Sequence, residues 1–177
     1  MAWTSNVYSW NSKAGYVRYY FYATVTENSQ SEDNNTTTLT VSFYAKGAYD
    51  PQYEDHSTGY NIYVDGSNIG GGSGPSSLGT SYNLIGSKQT TVTHNEDGTK
   101  SIQIGVRLNS SDGASYLPAD GTATLSPRCT LTKINRGLMR VNTPDGWKTG
   151  KPYVNVGGSW KLGQAFVNNG GSWERGI

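Results

Sequence analysis

Apolar and polar residues alternate strictly from residue 16 to residue 26. Val17, Tyr19, Phe21, Ala23 and Val25 fall on one face of an extended chain, and Arg18, Tyr20, Tyr22, Thr24 and Thr26 on the other. A period of two carried by aromatic and β-branched side chains predicts a strand with one buried face. Residues 36–46 follow the same rule, with Leu39, Val41, Phe43 and Ala45 inward and Thr38, Thr40, Ser42 and Tyr44 outward. The polar run 27–35 between them predicts a loop. Residues 60–64 predict a short strand closed by Asp65-Gly66, and the glycine run 70–74 predicts a flexible loop. Residues 88–94 and 100–108 predict two strands joined as a hairpin through 95–99, where Asp97-Gly98 supplies the positive φ of a tight turn. In the second of these Ile102, Ile104, Val106 and Leu108 face inward, and a last short strand follows over 122–125. No stretch has a 3.6-residue period framed by caps. The pattern predicts an all-β fold, an antiparallel β-sandwich of jelly-roll or immunoglobulin-like type, each sheet with one buried and one wet face.

The C-terminal part is organised differently. Trp147, Trp160 and Trp173 recur at intervals of 13, and the two complete units, 146–158 and 159–171, share 7 of 13 residues, including Val-Asn and Gly-Gly. Each unit predicts a short strand, a glycine turn and a second strand opened by Trp. A single two-stranded hairpin is marginal in water, so this Trp-rich meander needs a covering surface, with Trp147, Tyr153, Trp160, Phe166 and Trp173 as the docking or oligomer-interface residues. Charge divides at the same place. Residues 1–128 carry seven cations against eleven carboxylates, a net of −4, and residues 129–177 carry seven against two, a net of +5. The reversal falls at Ser126-Pro127-Arg128 and sets the expected division into a sandwich domain, 1–128, and a Trp/Gly repeat, 129–177. It also predicts a head-to-tail or intersubunit docking element, the basic tail of one chain against an acidic domain.

Composition narrows the chemistry. A net charge of +1 argues against a general nucleic-acid binder, and the thin basic tail does not change that. No apolar stretch approaches the roughly 20 residues of a membrane span, and the polar start Met1-Ala2-Trp3-Thr4-Ser5-Asn6 does not read as a signal peptide. One cysteine and two histidines leave no material for a disulfide framework or a multi-cysteine zinc site. No cofactor, metal or catalytic residue is expected.

Residues 94–102, His-Asn-Glu-Asp-Gly-Thr-Lys-Ser-Ile, follow Thr91-Val92-Thr93. This segment resembles the hairpin of a phage tail-associated domain found in minor structural proteins of long-tailed phages of Gram-positive bacteria. Tyr63-Val64-Asp65-Gly66 and the closing segment 122–128 fit the same pattern, and the Trp-Lys-x-Gly…Val-Asn-x-Gly-Gly-Ser-Trp tail is similar to C-terminal repeats of phage tail proteins. The resemblance implies a non-enzymatic component of the virion (tail tip, baseplate or surface appendage) that contributes to host-surface attachment. It implies other virion subunits as partners, a homo-oligomer, with a trimer fitting a fibre or tip, and host cell-wall polysaccharide as a further partner.

A second function class is a carbohydrate-binding adhesin or cell-wall-binding module. The long loop 48–59 and the strand after it mix Tyr49, Tyr53 and Tyr60 with Gln52, Glu54 and Asp55, and rings flanked by carboxylates and amides suit sugars. Tyr20, Tyr22 and Tyr44 either extend that platform, form cross-strand pairs or sit beneath another sheet or subunit. A glycan hydrolase is the third class and lacks a legible carboxylate pair or triad. His56 beside Glu54 and Asp55 invites metal or acid–base chemistry but fits a solvated loop better. His94 reads as a hydrogen-bonded turn residue, the Asp-Gly pairs as turns rather than calcium ligands, and Cys129 as a buried or capped thiol.

Overall fold

The computed structural model describes residues 2–11, 18–48, 58–75, 78–110, 121–134, 139–163 and 165–175, and every regular element among them is a β-strand. The first sheet contains β1 (Ala2–Thr4), β2 (Tyr8–Asn11), β3 (Arg18–Ser31), β4 (Thr36–Gly47) and, after an excursion through the other layer, β7 (Asn83–Thr93). β1 and β2 both pair with β3, and the order runs on through β4 to β7. The second sheet contains β5 (Thr58–Val64), β6 (Ser67–Ser73), β9 (Ile104–Ser110) and β10 (Gly121–Thr124), in the order β10-β9-β5-β6. A small ladder joins β8 (Ser101–Ile102) to β11 (Cys129–Thr130). All pairings are antiparallel.

The alternation places the core where the sequence predicts it. Tyr19, Phe21, Ala23 and Val25 of β3 and Leu39, Val41, Phe43 and Ala45 of β4 are buried, in one cluster with Ile62, Ile104, Val106 and Leu108 of the second sheet. Trp10 stacks on Phe21 with centroids 3.7 Å apart, and Phe21 meets Phe43 edge-on at 6.3 Å. Two layers sharing one apolar interior make an antiparallel β-sandwich.

Four expectations change. The run 27–35 is not one loop, because β3 continues through a bulge between Glu27 and Ser29 and only residues 32–35 turn, with Asn35 left-handed at φ 55°. The glycine run is not a flexible loop but strand β6, paired with β5. Glycine is required there because a Cβ at Gly71 would strike the Tyr60 carbonyl, and one at Gly72 would press on the Tyr60 ring at 3.1 Å. Residues 95–99 do not close a hairpin: β7 lies in the first sheet and β8 and β9 pair with strands outside it, so the turn is a corner between layers. Finally, the boundary at 128 falls inside the sandwich. Cys129 pairs with Ile102, Leu131 donates its N–H to the Lys100 carbonyl and Ile134 donates to the Gly98 carbonyl, while Cys129, Leu131 and Ile134 are buried. The charge reversal begins among residues that still supply core.

The repeat forms β12 (Met139–Thr143), β13 (Gly146–Gly150), β14 (Tyr153–Val156), β15 (Ser159–Leu162), β16 (Phe166–Asn169) and β17 (Ser172–Arg175). Among the described residues these pair in order as three two-stranded hairpins.

Candidate functional site

Of the loop residues expected to bind glycan, Tyr49, Gln52, Tyr53, Glu54 and Asp55 lie outside the described residues, as does His56. Tyr60 is described and takes another role. It is 8% exposed, and its ring occupies the space over Gly86, where a Cβ would collide with it. Tyr60 is a core side chain of β5, inward by the same period that buries Ile62 and Val64, and its ring is not part of an open platform.

His94 and the Asp-Gly turn account for one another. The His94 Nδ1 lies 2.8 Å from the Gly98 carbonyl oxygen, which only accepts, so the ring carries its proton there. Nε2 lies 2.7 Å from Thr37 Oγ1 and takes the hydroxyl proton. With both nitrogens committed and 5% exposure, the ring ties the corner to β4. Asn35 donates from Nδ2 to the His94 and Asn95 carbonyls, and Asp97 Oδ1 accepts from the Thr99 N–H and hydroxyl. His94, Asn95, Asp97, Gly98 and Thr99 therefore build the corner between layers.

Cys129 is a free thiol, 2% exposed. Burial, and then the nearby Glu27 carboxylate, push its pKa up to about 11. At pH near 8 the thiolate is then on the order of one part in a thousand, against about a tenth or more for an ordinary cysteine. Iodoacetamide labelling followed by mass spectrometry is expected to run roughly 100-fold slower on the native protein than in urea.

The solvent face of the first sheet carries a cluster of tyrosines. Tyr22 and Tyr44 are directly opposed across β3 and β4, and their rings stack at 5.0 Å with 10° between planes. Tyr82, just before β7, meets Tyr22 edge-on at 4.9 Å. Lys46, opposite Tyr20, holds its ammonium 5.7 Å from the Tyr20 centroid and 4.8 Å from that of Tyr82. Burial within the group, followed by the phenol oxygens of Tyr22 and Tyr20, holds the Tyr82 hydroxyl above its usual pKa, so it stays neutral. Leu84, opposite Tyr44 and 54% exposed, extends the apolar edge. The pattern identified Tyr20, Tyr22 and Tyr44 as outward-facing. It missed Tyr82 and Lys46, which only strand register brings together. On the other sheet a trough of about 270 Å³ opens over Gly105 beside Tyr63, rimmed by Gln103, Thr122 and Thr124 and lined by no charged side chain.

The three hairpins repeat a single device. Asn142, Asn155 and Asn168 stand directly across from Trp147, Trp160 and Trp173. In the second and third copies the Asn Oδ1 accepts from the second turn glycine, Gly158 or Gly171, at 2.9 Å. Both glycines of each turn are left-handed, as a two-residue hairpin loop requires. The first copy substitutes Pro144-Asp145 and shifts the positive φ to Gly146. Trp147, Trp160 and Trp173 are 64%, 70% and 69% exposed, and Tyr153 and Phe166 are more than half exposed. One ion pair links the repeat to the sandwich: Lys151 Nζ lies 3.0 Å from Asp33 Oδ1 and 2.9 Å from its carbonyl oxygen. Among the described residues no three His, Cys, Asp or Glu side chains gather as metal ligands. Comparison with family models, with curated proteins and with solved structures finds no match to this chain.

Proposed function

We propose that the chain is a non-enzymatic structural component of a tailed-phage virion, in the tail tip, baseplate or another surface appendage. The sandwich is a rigid spacer, and the Trp hairpins dock on neighbouring subunits, copies of this chain among them. One observation carries the reading: tryptophan occupies the same place in three successive hairpins and is about two-thirds exposed each time. Each indole leaves roughly 100 Å² of apolar surface to bury, so three offer about 7 kcal/mol before the cost of association. That gross term is too small for one chain to hold tightly alone, but a repeated array multiplies it through effective concentration. The commitment of both His94 nitrogens and the burial of Cys129 support a scaffold without a reactive centre. Immunogold electron microscopy of purified particles with antibody to the chain tests the placement. Label on the tail is expected, and unlabelled particles would refute it.

A further inference from the structure

The outer face of the first sheet is chemically unlike the domain that bears it. Residues 1–128 are acidic as a whole, yet the solvent-facing positions of β3 from Arg18 to Ser29, of β4 from Thr38 to Lys46, and of residues 82–91 hold no carboxylate. They hold hydroxyls (Thr24, Thr40, Ser42, Ser87), four tyrosines, and two cations at one end, Arg18 and Lys46. Glu27, the nearest acid in sequence, turns the other way, and its Oε1 is taken by the N–H and hydroxyl of Thr132.

We infer that this face, with Lys46 set among Tyr20, Tyr22, Tyr44 and Tyr82, binds an anionic glycan. Three features select that class. The Tyr22–Tyr44 stack, with Tyr82 edge-on to it, offers ring faces and edges to the C–H face of a sugar. Among the described residues the Lys46 ammonium meets two rings and no carboxylate, so a carboxylate or phosphodiester on the ligand is its complement. The adjoining Ser and Thr hydroxyls, among them the Ser42–Ser87 pair at 3.0 Å, match a polyhydroxylated chain. The outward row from Arg18 to Thr24 runs about 20 Å along β3, so the face has length for several sugar rings rather than one. Two cations are too few for a nucleic-acid backbone, whose affinity grows with each phosphate neutralised. The binding site is independent of the Trp hairpins and stands or falls without them.

Affinity electrophoresis of the full chain tests the inference, with polygalacturonate (carboxylate), glycerol-phosphate teichoic acid (phosphodiester), dextran (neutral) and oligo-dT in the gel. Retardation by one or both charged glycans is expected, and which of them acts identifies the anion. Lys46→Gln and Tyr44→Ala are each expected to weaken it roughly tenfold, with thermal unfolding confirming that both variants fold. Lys148→Gln in the tail is expected to leave retardation unchanged. No retardation by either charged glycan, retardation equal in dextran or oligo-dT, or loss on Lys148→Gln but not on Lys46→Gln would each overturn the assignment. If Tyr44→Ala fails to fold, Tyr44→Phe and Lys46→Gln decide: binding kept by the first and lost by the second supports it, and binding kept by both overturns it.

Discussion

Gly98→Ala is expected to cost about 3–5 kcal/mol, enough to leave a marginal domain largely unfolded. Two effects combine. Gly98 has φ 79°, a region that costs an L-residue on the order of 1–2 kcal/mol. The added Cβ would also collide with the Ile134 carbonyl, which is backbone and cannot rotate away. Relief would require the segment around Ile134 to lift, breaking the Ile134 N–H bond to Gly98 and exposing a buried isoleucine. The His94 bond to the Gly98 carbonyl would go with it. Urea unfolding followed by circular dichroism measures the loss. Gly146→Ala is the comparison, since that glycine also has positive φ but nothing within 4 Å of the added carbon.

Replacing Trp147, Trp160 and Trp173 together by alanine is expected to do the opposite. The sandwich melting point stays within about 2 °C, because these side chains are largely exposed and add little to its interior. Association weakens by on the order of 100-fold or more, about 2.7 kcal/mol of the roughly 7 available from the indoles. Stability and assembly therefore separate into different residues: the corner at Gly98 governs the first, the hairpin tips the second.

Legibility in the sequence followed the strength of the hydrophobic signal. The inward rows of β3, β4 and β9 were readable because apolar residues alternate there without a break. β6 was not, since Gly70, Gly71 and Gly72 look like a linker and their strand character comes from close approach to Tyr60 and Asn61 on β5. The polar end of β3 was hidden because hydroxyl and amide contacts, such as Asn28 to Thr40 and Gln30 to the Thr132 carbonyl, hold it instead of apolar burial. The turn at 95–99 was recognised, but local residues do not say whether the next strand returns to the same sheet. Tyr60 illustrates the limit for the site. Its composition suited a sugar platform, while its position in β5 turns it into the core. The tyrosine–lysine face depends on the Tyr20–Lys46 and Tyr22–Tyr44 registers, which long-range pairing alone determines.

Sedimentation equilibrium of the full chain, wild type beside the triple Trp→Ala variant, decides whether the indoles drive assembly. The wild-type chain is expected to self-associate reversibly as its concentration is raised toward about 1 mM, with a trimer expected, and the variant to sediment as a folded monomer. A wild-type chain that stays monomeric, or an oligomer indifferent to loss of all three indoles, would contradict it.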